Sequence, residues 1–205
     1  MATAAARARR PVDKFEERRR ELAAAALQTL GELGYARTSL REIALNSPYS
    51  HGVVHYYFAD KVELITYCVR QYKAECVQRY DGIVERSAPA DVLAADFAEA
   101  LVTTLVQDAA MHRLWYDLRS QALFEASFRD NVLEIDETLE HMIWQVVSRY
   151  AELRGAATAL PSSRCYAMFD GLFQQALLRH LAGADRASGD LREGALQFLA
   201  IAVTA

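Results

Sequence analysis

The sequence predicts an all-α protein with a small three-helix N-terminal head and a larger helical C-terminal domain. Three observations lead there. Only 9 of the 205 residues are glycine and 4 are proline, too few turn-formers for a barrel or sandwich of short strands. Hydrophobic residues reach 52% and charged residues 24%, the composition of a chain that buries a core. From Asp13 onward, apolar residues recur at helical spacing. The cysteines Cys68, Cys76 and Cys165 form no CxxC pair and cannot all pair within one chain, which points to a reducing cytoplasm rather than a disulfide scaffold or zinc ribbon. Apolar runs such as Leu22–Leu27 are too short for a membrane span. The basic N-terminus lacks the apolar segment of a signal peptide. A cytoplasmic protein with no membrane partner is expected.

Residues 1–12 read as a basic disordered arm carrying Arg7, Arg9 and Arg10. A helix follows from Asp13, with Phe15, Leu22, Ala26, Leu27 and Leu30 on one face and Arg18, Arg19 and Arg20 exposed. Gly31 and Gly34 stop it, Gly34 at the place of a C-terminal glycine cap. Ser39, followed three residues later by Glu42, is a capping-box pattern that opens a short helix. Asn46-Ser47-Pro48-Tyr49 makes a turn, because Pro48 pushes Ser47 out of the helical region. Ser50 caps a second short helix through Phe58, and Asp60 precedes a longer one that starts at Lys61. Two short helices across a tight turn, braced by a helix on each side, describe a helix-turn-helix.

The remaining chain reads as further helices over about 90–109, 111–125, 130–154 (closed by Gly155), 161–181 (closed by Gly183) and 190–203. No repeat or second motif interrupts them. Charge is uneven: residues 1–61 hold 10 Lys and Arg against 7 Asp and Glu, whereas residues 62–205 hold 13 against 20. A basic head on an acidic body suits a head that meets a polyanion.

Gly34-Tyr35, Thr38-Ser39, Glu42-Ile43-Ala44, Ser50-x-Gly52, Tyr56-Tyr57-Phe58 and Lys61-x-x-Leu64 stand in the order and spacing of the TetR family, the tetracycline-repressor-like regulators, which this chain resembles over about residues 15–70. Two departures stand out. Ser47-Pro48-Tyr49 replaces the family's small residue, Gly and Val before the serine, and His55 takes the place of a phosphate-touching tyrosine. The resemblance implies a DNA-binding domain over 13–60 and a helical ligand-binding and dimerisation domain over 61–205. It also implies a homodimer on palindromic double-stranded DNA, an unidentified small-molecule effector, and repression relieved when that effector binds.

In the head, His51, Val53, Val54 and Tyr56 are the candidates for the major groove, where polar groups read base edges and apolar ones touch thymine methyls. Ser50 caps their helix. Thr38 and Ser39, at a helix start, suit a phosphate. By resemblance His55, Tyr57 and Lys61 are further backbone contacts. His51 and His55 also have a metal-compatible i, i+4 spacing, but only Asp60 stands nearby as a third ligand, so DNA contact is the reading. In the body, Trp115, Met142, Phe169 and Phe173 are candidate walls of a ligand pocket, with Arg119, His141 and Asp170 as its polar groups. Leu191, Ala195, Phe198 and Leu199 are candidates for the dimer interface.

The sequence contains no G-x-S-x-G, H-E-x-x-H or glycine-rich phosphate loop, so no enzyme and no cofactor or metal is expected. The functional expectation is a sequence-specific DNA-binding transcriptional regulator. The competing expectation is a helical ligand-binding protein whose head no longer reads DNA.

Overall fold

The computed structural model describes residues 11–87 and 89–204. The arm with Arg7, Arg9 and Arg10 lies outside the described residues. Two compact units meet in the chain between Cys68 and Val69.

The N-terminal unit begins with α1, Pro11–Arg37, where proline at the first helical position loses no hydrogen bond. Helix α1 is broken at Gly34, whose φ of 72° and ψ of 175° are open to glycine almost alone. That break turns the chain toward α2, Leu40–Leu45. The capping box expected there is formed: Glu42 N–H donates to Ser39 Oγ at 3.2 Å, and Ser39 N–H donates to the Glu42 carboxylate at 2.7 Å. Helix α3, His51–Tyr57, starts where Val53 N–H donates to Ser50 Oγ at 3.3 Å. Helix α4, Lys61–Arg86, starts where Glu63 N–H donates to Asp60 Oδ1 at 2.8 Å.

Leu22, Ala26, Leu30, Ile43, Val54, Phe58, Leu64 and Ile65 form the core of this unit. Arg19 crosses it from α1, pairing with Glu63 at 2.8 Å and lying over the rings of Phe58 and Tyr67 at 4.7 and 4.6 Å. The start of α4 is thereby tied to α1 by one guanidinium that both pairs and stacks. The unusual turn is also anchored, since Tyr49 N–H donates to Ser47 Oγ and the Tyr49 hydroxyl donates to Glu21.

The C-terminal unit continues α4 and adds α5 (Ala90–Gln107), α6 (Ala109–Ala122), α7 (Ala126–Arg154), α8 (Ser162–Leu181) and α9 (Ala187–Ile201). These fall within a few residues of the expected helices. Gly155, at φ 62°, ends α7. Helix α5 packs on α9 and α7, α8 packs between α7 and α9, and α6 lies against α7. Phe97, Leu101, Leu105, Trp115, Leu118, Phe128, Ile143 and Val146 fill the space between them.

One expectation is overturned by this packing. Leu191, Ala195, Phe198 and Leu199, expected at a dimer interface, are buried within the chain itself, because α9 turns that stripe toward α5 and α8. Phe198 stacks on Phe169 with centroids 6.1 Å apart. The apolar side chains that α8 and α9 leave exposed are Met168, Leu178, Leu181, Leu196 and Ile201.

Gly34→Ala should cost about 1–3 kcal/mol, because a Cβ is strained at that φ and ψ. The check is the urea midpoint of the full chain. An unchanged midpoint would mean that the break can form with ordinary dihedrals.

Candidate nucleic-acid interface and interior cavity

Helix α3 spans about 10 Å at 1.5 Å per residue, enough to lay two turns in a groove. Its buried side is Val54, which packs in the head core. The opposite side exposes His51, Gly52, His55 and Tyr56, with Val53 and Tyr57 half-buried at its margins. The two imidazoles lie edge to face at 4.4 Å. Tyr57 is braced by Phe15 at 4.8 Å, which sets the Tyr57 ring against α1 and leaves the neighbouring Tyr56 73% exposed.

Three of the expected DNA contacts are held differently. Val54 is core, so α3 cannot present it to a base. Thr38 is also buried, its hydroxyl donating to the Gly34 carbonyl at 2.7 Å, which closes the turn after α1. Lys61 donates to the Tyr35 carbonyl at 3.0 Å and sits 3.8 Å from the Tyr35 ring centroid. Ser39 remains exposed at the start of α2, and Ser50 at the start of α3.

The body encloses a cavity of about 40 Å³, lined mainly by apolar and aromatic side chains. Trp115, Met142, Phe169, Asp170 and Phe173 line it as expected. His141 does not, because its position on α7 faces outward and is exposed. Arg119 stands behind the wall rather than in it. Its guanidinium pairs with Asp170 at 2.5 Å and Asp136 at 3.5 Å, joining α6, α8 and α7. Tyr116 donates to Asp170 at 2.9 Å, and Tyr166 donates to Asp136 at 2.5 Å. Burial raises the Asp136 carboxyl above its ordinary range, opposed by the Tyr166 hydroxyl and the Arg119 charge.

Sequence reasoning missed the cavity's most unusual residues, Lys73 on α4 and His112 on α6. Both are buried, and Lys73 Nζ lies 3.2 Å from His112 Nδ1. Burial brings the Lys73 ammonium down to about 8, and burial with the nearby Lys73 charge pushes His112 well below its usual value. The imidazole is therefore neutral and accepts the lysine proton at Nδ1, leaving its own proton on Nε2. The signal was present: Lys73 falls on the stripe Val69, Cys76, Tyr80, Ile83, a lysine in the register of a buried face. Among the described residues no group of side chains could hold a metal ion, and no helix is long and apolar enough to cross a membrane.

A helix-turn-helix with an exposed second helix, joined by α4 to an all-α body with an interior cavity, defines a helix-turn-helix transcriptional regulator. Residues 22–68 match the family of bacterial regulatory proteins called the tetR family, and residues 89–200 match the BetI-type transcriptional repressor C-terminal family. The chain belongs to the TetR family, with a BetI-type C-terminal domain, and is a DNA-binding transcriptional regulator. It is 28% identical over 172 residues to the HTH-type transcriptional regulator BetI of Brucella anthropi, across 82% of this chain and 84% of that one. Its fold is shared with a TetR transcription regulator from Haloarcula marismortui (TM-score 0.75, 18% identity, 93% of this chain and 100% of that one). A transcriptional regulator from Saccharomonospora viridis in complex with choline is also similar (TM-score 0.74, 16% identity, 93% and 99%).

Replacing Arg119 with leucine strands two carboxylates and should cost about 1–3 kcal/mol at pH 7. The cost should shrink as pH falls toward 5. Asp136 already binds its proton more tightly folded than unfolded, and a protonated carboxyl needs no counter-charge. Denaturant melts of both proteins across that range provide the check. A pH-independent cost would show that Asp136 is not energetically coupled to Arg119.

Proposed function

We propose that this regulator binds a palindromic operator as a homodimer, reads it with α3, and is released when a small effector enters the cavity of the body. The exposed face of α3 carries the first part: His51, His55 and Tyr56 stand free of the head core, with Val53 at their edge. His51 and Tyr56 offer hydrogen bonds to base edges or phosphates, and Val53 offers a thymine-methyl contact. Ser39, Ser50, His55, Tyr57 and Lys61 flank them as backbone contacts. Lys61 spends one N–H on the Tyr35 carbonyl and keeps two for a phosphate.

A palindrome requires two heads about 34 Å apart, and a two-fold dimer supplies them. The support for a dimer through α8 and α9 is their exposed apolar set, Met168, Leu178, Leu181, Leu196 and Ile201. A shallow groove between the two helices, lined by Met168, Leu172, Phe198 and Ile201, adjoins that set. The support for an effector is the cavity itself, together with the choline held by the Saccharomonospora relative. Release requires that the effector bind the released conformation more tightly than the DNA-bound one. Helix α4 is the element through which it acts, since Lys73, Cys76 and Tyr80 line the cavity while Leu64, Ile65 and Cys68 are core of the head.

Selection of bound duplexes from a random library, with a salt titration, tests the DNA reading. An enriched palindrome with a steep salt slope is expected. Salt-sensitive binding without enrichment would instead favour a head that holds DNA without reading it. On the selected operator, His51→Ala should change sequence preference at one position by about 1–3 kcal/mol, whereas Lys61→Met should weaken all duplexes alike. Equal losses from both would overturn that division.

Leu178→Glu combined with Ile201→Glu should yield a monomer by sedimentation with the helical content unchanged. A double variant that stays dimeric would place the interface elsewhere.

A further inference from the structure

The wall of the cavity is mainly apolar and aromatic, and within it α4 and α6 bring a cation and an imidazole together. Lys73 is only 4% exposed, and its hydrogen bond among the described residues is the one to His112 Nδ1. No carboxylate among the described residues forms an ion pair with it. The carboxylates of the neighbourhood are already engaged, Asp170 by Arg119 and Tyr116, and Asp136 by Arg119 and Tyr166. The ammonium has three protons and spends one on His112, leaving two. The His112 Nε2 proton is likewise buried without a protein acceptor. Ring faces of Trp115 and Tyr72, 5.5 and 5.6 Å from Nζ, soften the charge but accept no hydrogen bond of ordinary strength.

The nearby carboxylates are thus engaged, whereas the lysine and the imidazole keep N–H groups to spare. Asp170 also lines the cavity, yet both its oxygens are taken. Each buried donor left without an acceptor is costly, so the favoured occupant brings acceptors and negative charge. A quaternary ammonium brings neither, and places a second cation beside Lys73. Size narrows the class further, for about 40 Å³ accommodates roughly three or four non-hydrogen atoms.

We propose that this cavity is the receptor for a small monocarboxylate, bound by its oxygens to the two remaining protons of Lys73 Nζ, with its short apolar end among Met142, Phe169 and Phe173. The proposal deepens the effector reading above and rests on it. Lys73 then selects the effector's charge, His112 holds the Lys73 ammonium in place through Nδ1, and the aromatic wall limits the effector's length.

Calorimetric titration and thermal melting of the full chain test this, with formate and acetate against formamide, acetamide and choline chloride, all at constant ionic strength. The carboxylates should raise the melting temperature and bind at least tenfold more tightly than the matched amides. Lys73→Met should abolish that preference while the helical content by circular dichroism stays as in wild type. His112→Phe, which keeps the lysine, should weaken the carboxylates several-fold and covers the case in which Lys73→Met does not fold. Equal binding of amide and carboxylate overturns the proposal. So do a preference for choline, absence of carboxylate binding, or a preference that survives Lys73→Met. Operator binding by gel shift separates the two readings. Release by choline but not by carboxylates leaves the effector mechanism standing and removes only the anion. Carboxylate binding that never alters operator affinity removes the effector mechanism and leaves the receptor.

Discussion

Helix α4 must satisfy two cores with one run of residues. Its first turns supply Leu64, Ile65 and Cys68 to the head, and its later turns supply Lys73, Cys76, Tyr80 and Ile83 to the body. An α-helix has no soft joint between such stretches, because every interior residue is held by i to i−4 hydrogen bonds. Each stretch is packed by the unit it serves, the first by the head and the second by the body.

The head treats its own polar groups sparingly. Arg19 pairs with Glu63 and stacks on Phe58 and Tyr67, so one side chain both neutralises an acid at the start of α4 and covers the core. Thr38 and the capping box consume the hydroxyls and N–H groups at the joint between α1 and α2. The exposed face of α3 holds His51, His55 and Tyr56 outside that core. The body reverses this economy. Two of its cations are drawn away from solvent, the half-buried Arg119 binding two acids and the buried Lys73 binding none, and the contrast between them gives the cavity its chemical character.

Most of the fold was legible because its punctuation is local. Ser39 with Glu42, Ser50, Asp60, Gly34 and Gly155 act on backbone groups within a few residues of themselves, so spacing alone locates them. The site was legible only in part. Trp115, Phe169 and Phe173 could be picked out as bulky residues on helical stripes. Whether a stripe faces a cavity, a neighbour or a second subunit depends on which helix packs against it. Leu191, Ala195, Phe198 and Leu199 illustrate the point, since nothing in α9 itself says that α5 covers them. Val54 was misjudged for a related reason, since on a helix of seven residues one position of rotation separates core from solvent. Thr38 lies instead in the joint between α1 and α2, where its hydroxyl is turned back to Gly34. Lys73 and His112 meet across 39 residues of chain, and only their improbable register on apolar stripes hinted at the meeting.

Gly52 sits on the exposed side of α3, and a methyl group added there would meet no atom within 4 Å. Its backbone is ordinary helix, so the free head gains nothing from the missing side chain; by propensity alone, alanine would be favoured by about 1 kcal/mol. Folding thus sets no constraint on this position, and variation there is filtered only by what α3 meets. The head has a site at which its vocabulary can be rewritten one residue at a time, with no packing contact of the fold lost to the edit.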